Sequence, residues 1–169
     1  EARNIRSLKN TLREKIMKKI QIENGYKYKY RYNQSGCLLQ VDFYRRKFFG
    51  LLAAHEGKYE FHYNGSELQA QRNYIDHIGL TEAVNYFYEN GKLVQKEYYN
   101  DKMALRYFIH FRYAENQPVF MEIKRFNGIQ EGLCEDSRLI SEYLASFGKE
   151  VDYLSDMLEF VEKLKKGNG

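Results

Sequence analysis

The sequence contains few residues of several types, and each shortage excludes a class of fold or binding site. Its 169 residues contain no Trp, one Pro and two Cys. Cys37 and Cys134 lie far apart and form no CxxC pair, so neither a disulfide framework nor a cysteine-rich zinc site is indicated. Two reduced, partly buried thiols are favoured over one long-range disulfide. No apolar run approaches the roughly 20 residues of a membrane-spanning helix.

The familiar catalytic and metal-binding motifs are missing as well. His55, His62, His77 and His110 show no HxH, HExxH or HxxxH spacing, so no metal ligands are predicted. There is no GxSxG element and no glycine-rich phosphate-binding loop. The sequence therefore predicts no catalytic residue and no cofactor, and an enzyme ranks last among the functional hypotheses.

Aromatic residues are abundant instead. The chain has 16 Tyr and 11 Phe, and hydrophobic residues make up 43% of it. This composition excludes wholesale disorder, and its tyrosines favour pleated, half-buried strands. At this length the chain is predicted to be one domain over residues 1–169.

Hydrophobic alternation predicts a series of β-hairpins over residues 25–126. Tyr26, Tyr28, Tyr30 and Tyr32 alternate with cations, which predicts a strand with one aromatic and one basic face. Strands are predicted on both sides of four turns: Asn33–Gly36, Asn64-Gly65, Asn90-Gly91 and Ala114–Gln117. Asn-Gly is typical of a two-residue hairpin turn. Residues 45–57 fit either a strand or a buried helical turn.

The four predicted turns recur every 26–29 residues, which suggests an internal repeat. Coincidence in a tyrosine-rich chain is the alternative. Because single hairpins are marginal in water, the predicted fold class is α+β, with four hairpins joined into an antiparallel meander of about eight strands. Such a sheet is expected to curl and to leave a cleft.

Helices are predicted at both ends. Residues 3–20 space Ile5, Leu8, Leu12, Ile16 and Ile20 on one face of a basic amphipathic helix, within a segment 1–22 that Asn24-Gly25 would end. Residues 134–166 predict one or two further helices, the first capped by Asp136 and closed by Gly148.

The basic residues are the most specific functional signal. Residues 1–20 carry seven basic and two acidic side chains. These cations, with those on the polar strand faces, could neutralise the phosphates of nucleic acid or of an anionic surface. A solvated helix face is the simpler interpretation. The low-ranked candidate binding residues are Arg3, Arg6, Lys9, Arg13, Lys27, Lys29, Arg31, Arg106, His110 and Arg112.

The stretch Tyr86–Asp101, YFYENGKLVQKEYYND, resembles the hairpin units of MORN-variant (YwqK-type) repeat proteins. Weaker copies surround Asn64-Gly65 and Asn33–Gly36, although the units here are longer than those typical of that family. The resemblance implies a non-enzymatic interaction or structural role, and it transfers no functional residue.

Three functions follow as hypotheses. The first is a non-catalytic interaction or ligand-binding domain, with a protein as the expected partner. The second is a binder of nucleic acid or of an anionic surface, and the third is a carrier of a small apolar ligand inside a curled sheet. The compartment stays open: the start at Glu1 slightly favours an exported, processed form over a cytoplasmic one, and a trimmed clone also explains it.

Overall fold

A computed structural model describes residues 17–167, and their main element is one antiparallel sheet of ten strands. Every strand pairs with its neighbours in sequence, so the sheet is a simple meander from β1 to β10. The strands are β1 (Met17–Glu23), β2 (Tyr26–Tyr32), β3 (Leu38–Lys47), β4 (Leu52–Asn64), β5 (Glu67–Ile75), β6 (Gly79–Glu89), β7 (Lys92–Asn100), β8 (Leu105–Ala114), β9 (Gln117–Arg125) and β10 (Gln130–Cys134).

Two helices follow the sheet, α1 (Ser137–Ala145) and α2 (Leu154–Gly167). Asp136 caps α1 as predicted, because its Oδ1 accepts hydrogen bonds from the backbone N–H groups of Arg138 and Leu139 at 2.9 and 3.2 Å. The α+β class and the antiparallel meander are thus confirmed. Among the described residues, no helix is long and apolar enough to cross a membrane.

The predicted number of strands, about eight, is wrong, because the described chain adds β1 and β10. The predicted N-terminal helix is also wrong at its C-terminal end, since Met17–Glu23 pairs with β2 in full register. Asn24 and Gly25 do not end a helix. They have φ values of +48° and +79° and form the β1–β2 hairpin turn. The rest of the predicted helix, residues 1–16, lies outside the described residues.

Residues 45–57, for which the sequence predicts either a strand or a buried helical turn, extend the β3–β4 hairpin. A single 3-10 turn at Phe48–Gly50 connects β3 to β4. Both cysteines are free, Cys37 half-buried in the β2–β3 turn and Cys134 buried at the end of β10. The thiols are therefore unpaired, as the favoured interpretation predicted.

The two faces of the sheet differ in what covers them. We call the face that carries α1 and α2 the inner face and the opposite one the outer face. Ile140 of α1 and Met157 and Val161 of α2 are buried against the inner face. The sheet contributes to this core Leu38, Val41, Phe61, Leu68, Val84, Tyr86, Leu93, Tyr98, Ile109, Phe111, Met121 and Ile123. The helices pack chiefly on β9 and β10, and the inner face of β2 is only half-buried.

Candidate ligand-binding cleft

A ladder of aromatic rings follows strand β2 on the inner face. Tyr26, Tyr28, Tyr30 and Tyr32 succeed one another with ring centroids 6.2, 6.5 and 6.3 Å apart. The strand places them there because alternate residues share a face. All four are half-buried, and no helix of the described chain lies over them. A broad aromatic surface is therefore left open at this side of the sheet.

A cleft of about 700 Å³ opens beside this ladder. Phe43 of β3 stacks on Tyr59 of β4 at 5.2 Å between centroids, and Tyr153 meets Tyr59 edge-on at 5.5 Å. Tyr153 belongs to the segment between α1 and α2, so the helical region closes one side of the cleft. The lining residues are Tyr26, Tyr28, Phe43, Arg45, Lys47, Ala54, His55, Glu56, Tyr59, Asn73, Tyr74, Ile75, Asp76, His77, Thr81, Glu82 and Tyr153.

His55 lies at the rim between two carboxylates. Its Nδ1 is 2.6 Å from Asp76 Oδ2, and its Nε2 is 3.2 Å from Asp42 Oδ1. The hydrogen bond to Asp76 is the main cause that raises the pKa of His55 above 6.5. Both ring nitrogens are thus engaged, and the imidazolium donates to both carboxylates. Nearby, the guanidinium of Arg45 pairs with Glu56 at 2.6 Å.

Glu82 is the carboxylate at the deeper side of the cleft. Its Oε1 accepts a hydrogen bond from the backbone N–H of Leu154 at 3.1 Å, at the start of α2. Burial raises the pKa of Glu82 to about 7, with smaller contributions in the same direction from Asp152 and Asp156. Burial also raises the pKa of Tyr59 and of Tyr153, so both remain neutral phenols.

This arrangement is suited to binding. Stacked rings offer flat apolar surfaces, while Asn73, Thr81 and Glu82 offer hydrogen-bonding groups beside them. In the described part of the chain, no hydroxyl or thiol group forms a hydrogen bond with His55, so a nucleophile–base pair is not assembled there. Residues 17–167 also contain no cluster of three or more histidine, cysteine or acidic residues placed to hold a metal ion.

A buried polar cluster fixes the segment that carries Tyr153. Lys96 of β7 is fully buried, and its Nζ lies 2.8 Å from Asp152 Oδ2. Tyr86 and Tyr98 donate their hydroxyl hydrogens to the same carboxylate at 2.7 and 2.5 Å, and Lys96 also donates to the hydroxyl of Tyr143 at 2.7 Å. Burial lowers the pKa of Lys96, and Asp152 opposes that shift.

Gln71 completes this attachment through the backbone. Its Oε1 accepts from the N–H of Asp152 at 2.7 Å, and its Nε2 donates to the C=O of Asp152 at 2.9 Å. Sequence reasoning missed the cluster. The only sequence signal for it is that the cation Lys96 lies two residues before Tyr98 and therefore on the same face of β7. Its partner Asp152 is far away in the sequence, so their contact leaves no local pattern.

The predicted basic site residues are not brought into one patch. Arg3, Arg6, Lys9 and Arg13 lie outside the described residues. The others are on the outer face, in two groups: Lys27, Lys29 and Arg31 on β2, and Arg106, His110 and Arg112 on β8. Six strand spacings separate the groups, which is about 29 Å. Carboxylates lie between them, among them Glu60, which pairs with Lys58.

Comparisons with known proteins do not assign a family. No family model matches the sequence, and no curated protein is similar to it. A porin-like protein from Bacteroides uniformis is 13% identical, over 69% of this chain and 47% of its own, with a TM-score of 0.42. Two structures of TarM, one of them a mutant of the S. aureus protein in complex with fondaparinux, α-GlcNAc-glycerol and UDP, are 10% and 9% identical. Each match covers 77% of this chain and 23% of TarM, with TM-scores of 0.27 and 0.28. The chain thus spans less than half the length of each of these proteins.

Proposed function

We propose that this protein is a non-catalytic ligand-binding domain, and that the cleft beside the tyrosine ladder holds a neutral ligand with flat apolar faces and hydroxyl groups, such as a sugar ring. One observation carries the proposal. The rings of Tyr28, Phe43, Tyr59 and Tyr153 converge on a cleft of about 700 Å³ at the part of the inner face that the helices leave open.

The chemistry of the lining supports this class of ligand. The C–H faces of a sugar ring pack on aromatic rings, and its hydroxyl groups pair with side chains at the edge. Asn73, Thr81 and Glu82 provide such partners. The Thr81 hydroxyl donates to the backbone C=O of Asn73 at 3.1 Å and can still accept a hydrogen bond.

The charges around the cleft favour a neutral ligand. Arg45 is paired with Glu56, and His55 is held between Asp76 and Asp42. These two cations thus have counter-charges of the protein itself, whereas Lys47, which also lines the cleft, forms no ion pair with a described residue. The same charged rim argues against the small apolar ligand that a carrier would hold, because such a ligand cannot pair with it.

The other functions predicted from the sequence have less support. Binding of nucleic acid through the sheet would need the basic groups and the aromatic ladder on one face, yet Lys27, Lys29 and Arg31 point away from the tyrosines of β2. A protein partner, the first expectation from the sequence, would use this cleft if it presented a group of the proposed kind. The local resemblance to MORN-variant hairpins agrees with such a non-enzymatic role.

The test is binding of neutral oligosaccharides, screened on a glycan array and followed by calorimetry on the best binder. In the Tyr28→Ala variant, we expect the Kd to rise about ten-fold, because an aromatic contact contributes about 1.5 kcal/mol. Tyr99→Ala is the matched control, since Tyr99 is also a half-buried strand tyrosine but lies on the outer face.

Two results would contradict the proposal. One is the absence of binding to every neutral glycan. The other is binding that Tyr28→Ala and Tyr99→Ala weaken equally, which would place the ligand elsewhere on the molecule. Circular dichroism of both variants ensures that the sheet is intact in each comparison.

A further inference from the structure

The two ends of the sheet differ in the residues that their turns expose. In a meander, successive turns alternate between the ends. We call the end with the β1–β2, β3–β4, β5–β6, β7–β8 and β9–β10 turns the upper end, and the other the lower end. The lower turns are polar and centre on Gly36, Gly65, Gly91 and Glu115-Asn116.

Exposed apolar side chains concentrate at the upper end. Of the large apolar residues that are exposed in the described chain, all except Ile20, Phe87 and Val119 lie in or next to an upper turn. These residues are Ile22, Phe48, Phe49, Leu51, Leu52, Ile75, Ile78, Met103, Phe126 and Ile129. Single exposed apolar residues are ordinary, but their concentration at one end marks an interaction surface.

The β3–β4 hairpin reaches furthest at this end. Its last backbone hydrogen bonds to its neighbours run from the N–H of Arg46 to the C=O of Gly25, at 2.9 Å, and from the N–H of Asp76 to the C=O of Glu56, at 2.8 Å. Residues 52–55 of β4 therefore extend beyond this backbone pairing, by about 13 Å at roughly 3.3 Å per residue. We call residues 46–52 the tip. Phe48 and Leu51 are 70% and 85% exposed, and Phe49 is fully exposed.

The backbone of the tip adopts an uncommon conformation. Phe48, Phe49 and Gly50 have φ values of +50°, +55° and +88°, and the N–H of Leu51 donates to the C=O of Phe48 at 3.1 Å. Bulky residues rarely adopt positive φ, and such conformations cluster at ligand-binding and switch regions. Here the conformation coincides with two phenylalanines that face solvent.

Cations adjoin the apolar residues of the tip. Arg45, Arg46 and Lys47 precede Phe48, and Arg46 and Lys47 are exposed. Arg45 is paired with Glu56, while Arg46 and Lys47 form no ion pair with any described residue. Apolar side chains at the apex with free cations beside them match the layers of an anionic membrane surface, in which acyl chains lie below phosphate groups.

We propose that the tip inserts Phe48, Phe49 and Leu51 into the surface of a bilayer that contains anionic lipids, with Arg46 and Lys47 at the headgroup phosphates. The convex, protruding apex of the tip suits a soft bilayer, because Phe48, Phe49 and Leu51 do not line the adjacent cleft, to which the tip contributes only Lys47. The other upper turns, such as those with Ile78 and Phe126, would add contacts along the same side.

The absence of Trp makes the test direct. Phe49→Trp introduces the sole Trp of the full chain at the tip, and Phe87→Trp introduces it on the outer face as the control. Each variant is mixed with vesicles of phosphatidylcholine, alone or with phosphatidylglycerol. With anionic vesicles, we expect the emission of Phe49→Trp to shift to the blue and to be quenched by brominated acyl chains. The emission of Phe87→Trp should stay unchanged.

Three further variants separate the roles of the apolar and basic residues in a vesicle flotation assay. Phe48→Ser combined with Phe49→Ser should abolish binding while Phe87→Ser leaves it intact, and all three phenylalanines are exposed. Lys47→Gln should weaken binding to anionic vesicles about five-fold, the typical effect of one juxtamembrane cation.

Several outcomes would overturn the proposal. The first is the absence of vesicle binding by the whole chain. The second is binding without quenching of Phe49→Trp, which would assign the membrane contact to another region, such as the basic residues 1–16. The third is concentration-dependent self-association that the double serine variant removes, without vesicle binding, because it would identify the tip as a contact between copies of this chain.

Discussion

The covered and open parts of the inner face are built from the same residue type in the same strand phase, yet their tyrosines differ in environment. Tyr86 and Tyr98 lie under the helical region, are almost completely buried, and donate to Asp152. Tyr28 and Tyr30 are half-buried and line an open ladder. Alternation along a strand thus determines the face of a side chain, while the covering element determines whether that side chain belongs to a core or to a binding surface.

The largest effect on this comparison is expected when the carboxylate that attaches the segment between α1 and α2 to the sheet is removed. In Asp152→Ala, the fully buried Lys96 loses its counter-ion, and Tyr86 and Tyr98 lose their acceptor. Breaking a buried pair in this way costs about 3–5 kcal/mol. Urea unfolding should show that loss, whereas Asp101→Ala, in the β7–β8 turn, should leave stability almost unchanged. If the Asp152 variant were as stable as the control, the Lys96–Asp152 pair would not be what attaches the helical region to the sheet.

Removal of a single tyrosine hydroxyl group tests the same comparison between the covered and open parts, with a smaller expected loss of stability. Tyr98→Phe removes a hydroxyl that donates to a buried carboxylate, and hydrogen bonds to charged groups contribute about 1.5–3 kcal/mol. Tyr30→Phe removes a hydroxyl from the open ladder and should change stability by less than about 0.5 kcal/mol. Equal losses in the two variants, measured by urea unfolding, would mean that the open ladder is covered in solution.

The third comparison concerns Glu82, at the border between the two parts, whose effect appears only as pH is varied. Its pKa in the folded protein is about 7, against 4.5 without the fold, so the folded state holds the proton more tightly. Stability should therefore fall as pH rises from 4.5 to about 7 and level off above that range. After allowance for solvent screening of a partly exposed group, the fall is about 2 kcal/mol.

Glu82→Gln should remove this fall and raise stability at alkaline pH, because a glutamine Oε1 can still accept from the N–H of Leu154. The groups that face Glu82 are Asp152, Asp156 and Lys96. His55 also makes the fold less stable as pH rises, since its raised pKa favours the protonated folded state. A Glu97→Gln control on the outer face should retain the full dependence. Parallel pH curves for Glu82→Gln and the control would contradict the assignment.

The sequence was most informative where local chemistry decides the structure. Asn64-Gly65 and Asn90-Gly91 predicted hairpins correctly, and Asp136 predicted the start of α1. The same turn chemistry at Asn24-Gly25 was interpreted as a helix end, because Ile16 and Ile20 are spaced as in a helix. Pairing of β1 with β2 overrides that spacing. Strand β10 was missed because its five residues include Gly132 and show no alternation of apolar side chains.

The candidate cleft was less predictable, for a different reason. The tyrosines of β2 were expected on one face, but their exposure depends on where α1 and α2 end. Tyr153 reaches the cleft only because Asp152, its neighbour in the chain, binds Lys96 on β7. Contacts between residues so far apart in sequence leave no local pattern, and the basic residues that did form a pattern are divided between β2 and β8.

The order of the elements has a consequence for the nascent chain on the ribosome. Because each strand pairs with the one made just before it, the meander can form progressively during synthesis. Its core face stays bare until residues 136–167 emerge, since α1, Asp152 and α2 are made after the whole sheet. During that interval, Lys96 lacks its counter-ion and the apolar residues of β6 to β9 are accessible to chaperones. Once residues 136–167 have emerged, Asp152 can pair with Lys96 and the two helices can cover these apolar residues.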